Sequence, residues 1–155
     1  MHEISWVVVL LYSIPECFLV TWLGLQLVNV QPSLNRILAL SIVYGPMVYI
    51  IRRLPLYYGI HTLLLTIIII GLAVIFLRIS VFKCTIGIVF GVIISLSLET
   101  MNIPLFTYFS NSTFGDVISS PKLSILLSLP KLLVMVGIGI WIKKKKIYLF
   151  KLGSA

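Results

Sequence analysis

The chain has 155 residues, of which 60% are hydrophobic and 10% are charged, and its mean hydropathy is +1.16. A helix that crosses a bilayer needs about 20 mostly apolar residues, and five such stretches take up about 110 positions of this sequence. The remainder is too short for a separate soluble domain of about 50 residues, which excludes kinases, nucleases and transcription factors within the chain. The composition predicts an all-α integral membrane protein, a bundle of about five transmembrane helices.

Five apolar segments follow one another and form a single transmembrane domain over positions 1–151. The predicted helices cover about 4–30, 37–51, 62–78, 81–101 and 122–142, and polar, charged or Pro- and Gly-containing stretches separate them. Gly87 and Gly91 in the fourth helix have the small-residue spacing that lets two helices approach closely. Positions 102–120 form the longest predicted connection. Positions 152–155 resemble a remnant of cloning and are given no structural role.

The net charge of +8 comes from basic residues that flank apolar segments, so we expect membrane lipids and no nucleic acid as partners. With five helices, eight basic residues fall on the side of the carboxyl terminus and three on the other. Basic residues favour the cytoplasmic side, which predicts a multi-pass protein of a bacterial plasma membrane with its amino terminus outside. The eight are Arg36, Arg78, Lys83, Lys143, Lys144, Lys145, Lys146 and Lys151, and the three are Arg52, Arg53 and Lys122.

Glu16 and Lys131 are charged residues inside apolar segments. Glu16 lies about 18 Å from the outer start of the first helix, and Lys131 about 14 Å from the outer start of the fifth. A charge near the bilayer centre costs at least about 2.5 to 3.5 kcal/mol on insertion scales, so such groups pair with one another. We therefore predict a contact between Glu16 and Lys131, either as a structural ion pair or as part of a proton or ligand relay.

A second polar group is expected where the outer ends of helices two, three and four reach the same level. Glu99 would lie about 24 Å from the inner start of helix four, close to the outer interface. We predict that Arg52 or Arg53 pairs with Glu99 around a small-molecule pocket. The alternative is that the arginines reach lipid headgroups and the tyrosines form an interfacial belt. The candidate ligand-binding residues are Arg52, Arg53, Tyr57, Tyr58, His61 and Glu99.

The sequence offers no signature of an enzyme. It contains no nucleophile elbow, zinc-protease motif, phosphate-binding loop or Cys-x-x-Cys pair. Cys17 and Cys84 lie within apolar stretches without a second ligand at metal-binding spacing, and we interpret them as core residues. We expect no metal and no cofactor.

Several short motifs occur in a familiar order: Ile14-Pro15-Glu16, then Arg52-Arg53-Leu54-Pro55, Gly59-Ile60-His61-Thr62 and Leu98-Glu99. In this order they resemble the amino-terminal membrane region of Firmicutes sensor histidine kinases with a GHKL-type ATPase domain, over roughly residues 4–142. In that family the membrane region is the signal-input module and a cytoplasmic kinase follows it. Nine residues follow Lys146 here, so the resemblance implies a stand-alone or excised sensory module without phosphotransfer activity.

Three functions are compatible with these observations. The first is a non-enzymatic sensor or regulatory module that binds a small ligand, lipid or peptide near the outer leaflet and signals to a protein partner or within a homo-oligomer. The second is a transporter subunit or substrate-binding component, since transport sites lie near the midplane. The third is a structural or assembly subunit of a membrane complex.

Overall fold

The described part of the chain forms five α-helices. They are α1 (Trp6–Leu27), α2 (Leu34–Arg52), α3 (Tyr58–Leu77), α4 (Val81–Ser110) and α5 (Pro121–Lys145). A computed structural model describes residues 6–55, 58–110, 121–146 and 148, with the backbone alone at 6–10, 58, 106, 110, 121–125 and 127. No strand occurs within these ranges, which agrees with the predicted all-helical class.

Among the described residues, three helices are long and apolar enough to cross a membrane, over Leu34–Arg52, Gly59–Leu77 and Val81–Phe109. In α3 the buried face and the opposite face are both apolar. Leu65 and Ile69 are buried, whereas Leu63 and Ile75 are 64% and 70% exposed. A helix that is hydrophobic all round is typical of a membrane environment, because in water the outward leucine and isoleucine side chains would lose the benefit of burial.

The first four helices form a ring in which α1 contacts α2, α2 contacts α3, α3 contacts α4, and α4 returns to α1. The fifth helix packs on the outside of this ring, against α1 and α4. Because α1 contacts three other helices, its side chains form the centre of the core. Cys17, Leu23 and Leu25 on α1 are almost completely buried.

Glycine residues bring α1 and α4 into very close contact. A Cβ atom at Gly24 would lie 2.1 Å from the carbonyl oxygen of Gly87, and one at Gly91 would lie 2.3 Å from the carbonyl oxygen of Val20. No larger residue fits at these positions without moving a backbone. The close helix contact predicted from the Gly87 and Gly91 spacing is therefore confirmed.

The largest difference between predicted and observed helix bounds is at the end of α4. This helix was expected to end at position 101, but it continues for more than two turns, through Pro104, to Ser110. A proline within a membrane helix is tolerated because neighbouring groups satisfy the carbonyl that it frees. The expected connection over 102–120 is thus helical up to 110, and 111–120 lies outside the described residues.

The other helices also extend beyond the predicted bounds or stop short of them. The third helix begins at Tyr58, not near position 62, so His61 belongs to its first turns.

The first helix ends at Leu27, and two residues later Asn29 adopts a left-handed conformation with φ 57°. The amide of Val30 donates to the carbonyl of Leu25 (2.9 Å), and that of Asn29 donates to Gln26 (3.0 Å). This is a Schellman motif, which asparagine can form without glycine.

Candidate functional site

The ammonium group of Lys131 is the centre of a buried polar cluster. The side chain is 2% exposed and forms ion pairs with Glu16 and with Glu99, whose Oε2 lies 3.0 Å from Nζ. Nζ also donates to the hydroxyl oxygen of Tyr12 (3.1 Å). The hydroxyl of Ser95 donates to Oε1 of Glu16 (3.0 Å). We call Tyr12, Glu16, Ser95, Glu99 and Lys131 the Lys131 cluster.

Helical spacing explains why these side chains meet. Tyr12 and Glu16 are four residues apart on α1, and Ser95 and Glu99 are four residues apart on α4, so each pair lies on one face of its helix. Lys131 approaches from α5, which packs against both of those helices. One ammonium group therefore joins α5 to α1 and to α4.

The Lys131 cluster contains two negative charges and one positive charge, because two carboxylates share one ammonium group. A lysine that is 2% exposed is stable only when its charge is paired and its N–H donors are used. Lys131 meets both conditions, with three hydrogen-bond acceptors on two helices. The carboxylates are less enclosed, at 21% exposure for Glu16 and 34% for Glu99, and both face a cavity.

This partly open cavity has a volume of about 150 Å³ and is lined by residues of α1 to α4. We call it the polar chamber. Arg52, the last residue of α2, lines it together with the two carboxylates. The other lining residues are Tyr12, Cys17, Val20, Tyr44, Thr62, Leu65, Thr66, Ile69, Val92, Ser95 and Leu96.

The predicted contact between Glu16 and Lys131 is present. The predicted pairing of Glu99 with an arginine is wrong, since its cationic partner is Lys131. Counting from the inner end of helix four had placed Glu99 near the outer interface. More than two turns of α4 follow Glu99, which brings it to the level of Glu16. Glu99, which was assigned to the outer pocket, therefore belongs to the same cluster as Glu16 and Lys131.

The remaining candidates of the predicted outer pocket have different positions. Arg52 lines the polar chamber with Glu99, as expected for a shared site. Arg52 and Arg53 are both exposed, but Arg53 does not line the chamber, and its guanidinium carbon lies 4.4 Å from the ring centre of Tyr49. His61 is half-buried beside the lining residue Thr62 but does not line the chamber itself. Tyr57 and the side chain of Tyr58 lie outside the described residues.

The uncharged members of the site did not follow from the sequence alone. Tyr12 and Ser95 each precede a glutamate by four residues, and this repeated spacing is the signal that would have revealed them. Tyr44 and Thr66 line the chamber from α2 and α3, and the hydroxyl of Thr66 donates within its own helix to the carbonyl of Thr62 (2.7 Å). No comparable pattern distinguishes Tyr44 and Thr66 from ordinary membrane-helix residues.

A larger cavity of about 290 Å³ lies between α1, α5 and the connection to α2, and it is mainly apolar. At its wall the ring of Trp22 packs on Gly139, where a Cβ atom would lie 2.1 Å from the ring. With its amide oriented to suit both neighbours, Gln26 accepts from Trp22 Nε1 (2.8 Å) and donates to the Gly139 carbonyl (2.9 Å). These contacts hold α5 against α1 at a second level.

No protein-family model, curated protein or solved structure matches the chain. Within the described ranges, no three His, Cys, Asp or Glu side chains are arranged to hold a metal ion. The function therefore has to be inferred from the polar chamber and the Lys131 cluster.

Proposed function

We propose that the chain is a non-enzymatic membrane sensor or regulatory module, with the polar chamber as its ligand site and α5 as its output. One observation carries this proposal. The carboxylates that form the chamber wall are the same groups that hold Lys131, and hence α5, in place. A ligand that binds to these carboxylates alters the contacts that position α5.

In this proposal all five helices cross a bacterial plasma membrane. The first and fifth helices have 22 and 25 residues, enough for about 30 Å of hydrocarbon. The excess of basic residues at one end of the bundle puts the carboxyl terminus in the cytoplasm. The chamber then lies in the outer half, where α2 ends at Arg52, and the exposed residues Lys143 to Lys146 lie at the cytoplasmic end of α5.

The proposed signal is a movement of α5 relative to α1 and α4. Contacts with Lys131 favour one position of α5, and a ligand changes the population of that position by binding the two states unequally. A protein partner or a second copy of the chain would detect the change through the Lys143–Lys146 end. The resemblance to sensor kinase membrane regions is consistent with such a role.

The volume of the chamber narrows the class of ligand. Sites for drug-sized molecules measure about 300 to 1,000 Å³, whereas the polar chamber has about 150 Å³. Among a small ligand, a lipid and a peptide, this volume favours a small ligand.

The proposal can be tested by measuring the position of α5 with two spin labels. In a chain with Cys17→Ala and Cys84→Ala, cysteines replace the exposed residues Asn35 and Lys144, and the distance between the labels is measured in nanodiscs. Lys131→Met should broaden or shift the distances, because it removes the ion pairs of α5. Leu133→Met, at a 72% exposed position of the same helix, is the matched control and should leave the distances unchanged.

An unchanged distance distribution in Lys131→Met would contradict the proposed output. If this variant does not fold, the triple change Glu16→Gln, Glu99→Gln and Lys131→Met removes all three charges and provides the same measurement. The topology is tested separately with a reporter fused after Lys146, which should be active only in the cytoplasm. A reporter active only outside would reject the proposed orientation.

A transporter subunit is the second candidate, and the depth of the charged residues favours it. Glu16 and Lys131 lie near the middle of α1 and α5, where transport sites are found. Uptake of a labelled ligand into proteoliposomes would distinguish the two functions. A sensor should bind without uptake, whereas a transporter should accumulate the ligand inside the vesicles.

A further inference from the structure

We propose that the polar chamber binds a small zwitterion, a molecule of the size of glycine or alanine with one ammonium group and one carboxylate. Its ammonium group lies at Glu16 and Glu99, and its carboxylate lies at Arg52. This inference rests on the proposed function of the chamber as a ligand site, and it specifies the chemistry of the ligand.

The charges around the polar chamber balance one another. The chamber wall carries two carboxylates and the Arg52 guanidinium, and Lys131 pairs with the carboxylates from behind. These four charges sum to zero. A simple cation would be repelled by Arg52, and a simple anion would be repelled by the two carboxylates. A zwitterion keeps the sum at zero and pairs with both walls.

The second argument is the placement of the charges. In the ring, α2 is a neighbour of α1 and α3, so α2 and α4 are diagonally opposite. Arg52 on α2 and Glu99 on α4 thus come from opposite sides of one cavity. A cation and two carboxylates that line one cavity from different helices can pair with the two ends of a zwitterion. An arginine also offers the paired N–H donors that bind a carboxylate in bidentate fashion.

The third argument is hydrogen-bonding capacity. Lys131 and Ser95 both donate to Oε1 of Glu16, and Lys131 donates to Oε2 of Glu99. Within the part of the chain that the structure describes, the second oxygen of each carboxylate accepts no hydrogen bond. An ammonium group has three donors, which these oxygens can accept without displacing Lys131.

The fourth argument is size. A volume of about 150 Å³ is below the range of about 300 to 1,000 Å³ of sites for drug-sized molecules, which favours a ligand with few non-hydrogen atoms. The wall also includes the apolar side chains of Val20, Leu65 and Ile69. A hydrogen or a methyl group as the ligand's side chain can pack against these groups.

The test compares three probes on the full chain in nanodiscs by calorimetric titration. Alanine carries both charges, methylammonium only the positive one, and acetate only the negative one. We expect saturable binding of alanine that is about 100-fold tighter than binding of either single-charge probe. Arg52→Gln should abolish alanine binding and increase the affinity for methylammonium, because the repelling cation is gone. Arg53→Gln, which changes the adjacent arginine outside the chamber, should bind alanine as the unchanged chain does.

Equal binding of alanine and methylammonium would show that Arg52 does not recognise a carboxylate, and it would overturn the zwitterion while leaving the chamber as a cation site. Tighter binding of acetate than of alanine would also overturn the zwitterion, and it would leave the chamber as an anion site. Binding of none of the three probes would also reject the zwitterion. In that case the spin-label distances in Lys131→Met show separately whether the proposed output by α5 fails as well.

Discussion

Along α1, two neighbouring stretches contact α4 in opposite ways. At Val20 and Gly24 the backbones of the two helices touch, because Gly91 and Gly87 carry no side chains. One turn earlier, Glu16 meets Ser95 through a side-chain hydrogen bond beside the polar chamber. Each step of four residues along α1 corresponds to a step of four residues back along α4. The antiparallel contact between α1 and α4 thus has a close-packed half, at Val20 and Gly24, and a charged half, at Glu16 beside the polar chamber.

The difference between these two halves determines where α1 and α4 can move relative to each other. Two backbones in contact leave no space for displacement, since packed interiors are not continuously deformable. In the charged half, one ammonium group and one hydroxyl connect the helices, and rotamer changes can alter these contacts. We therefore expect the glycine contact to act as a fixed point and the chamber to open and close around it.

The largest expected effect is at Lys131, and it tests whether the charged half depends on one cation. Lys131→Met leaves Glu16 and Glu99 without their cation, and breaking a buried ion pair costs about 3 to 5 kcal/mol. We expect a large fall in the free energy of unfolding, measured by denaturation in detergent. Adding Glu16→Gln and Glu99→Gln should restore most of it, and Leu133→Met is the control. A Lys131→Met variant as stable as the unchanged chain would show that the cluster does not hold the helices together.

Gly24→Val should give the next largest effect, and it tests the close-packed half. The new side chain would meet the Gly87 carbonyl oxygen, since a Cβ atom there lies at 2.1 Å, and overpacking typically costs about 1 to 3 kcal/mol. Thermal unfolding should show a lowered midpoint. The matched control is Gly71→Val on α3, where no atom lies within 4 Å of the added Cβ. Equal midpoints for the two variants would mean that the helices do not touch at Gly24.

A smaller effect is expected for Ser95→Ala, which removes the side-chain hydrogen bond between α1 and α4. Because Lys131 still neutralises Glu16, we expect a loss of about 1 kcal/mol. Ser97→Ala is the control, as its hydroxyl donates within its own helix to the Ile93 carbonyl (2.8 Å) and is exposed. Indistinguishable unfolding energies for the two variants would remove Ser95 from the site.

The smallest effect is expected for Arg53→Ala, and it defines the edge of the chamber. Arg53 is exposed and contacts the Tyr49 ring, so its removal should change the unfolding energy by less than about 0.5 kcal/mol. Alanine binding should also be unchanged. If Arg53→Ala abolished alanine binding and Arg52→Gln left it unchanged, Arg53 and not Arg52 would be the arginine that binds the ligand's carboxylate.

The sequence predicted those features that depend on local spacing or on the cost of burying charge. The Glu16 and Lys131 contact follows from two charges at one depth, and the close approach at Gly87 and Gly91 follows from small residues four apart. The partner of Glu99 did not follow, because Asn102 and Pro104 suggested a helix end, whereas α4 continues to Ser110. The ring order and the position of α5 outside it are long-range contacts, which no local pattern specifies.

The link from Lys131 to both α1 and α4 also has a consequence for biogenesis. In the proposed five-helix topology, ribosomes release α1 and α4 before α5, so Glu16 and Glu99 would enter the membrane before their cation exists there. During that interval the carboxylates must be solvated or protonated, and the first four helices form an incomplete product. Insertion of α5 supplies the missing charge and completes the bundle. Quality control by membrane proteases would then act on chains whose fifth helix has not yet docked.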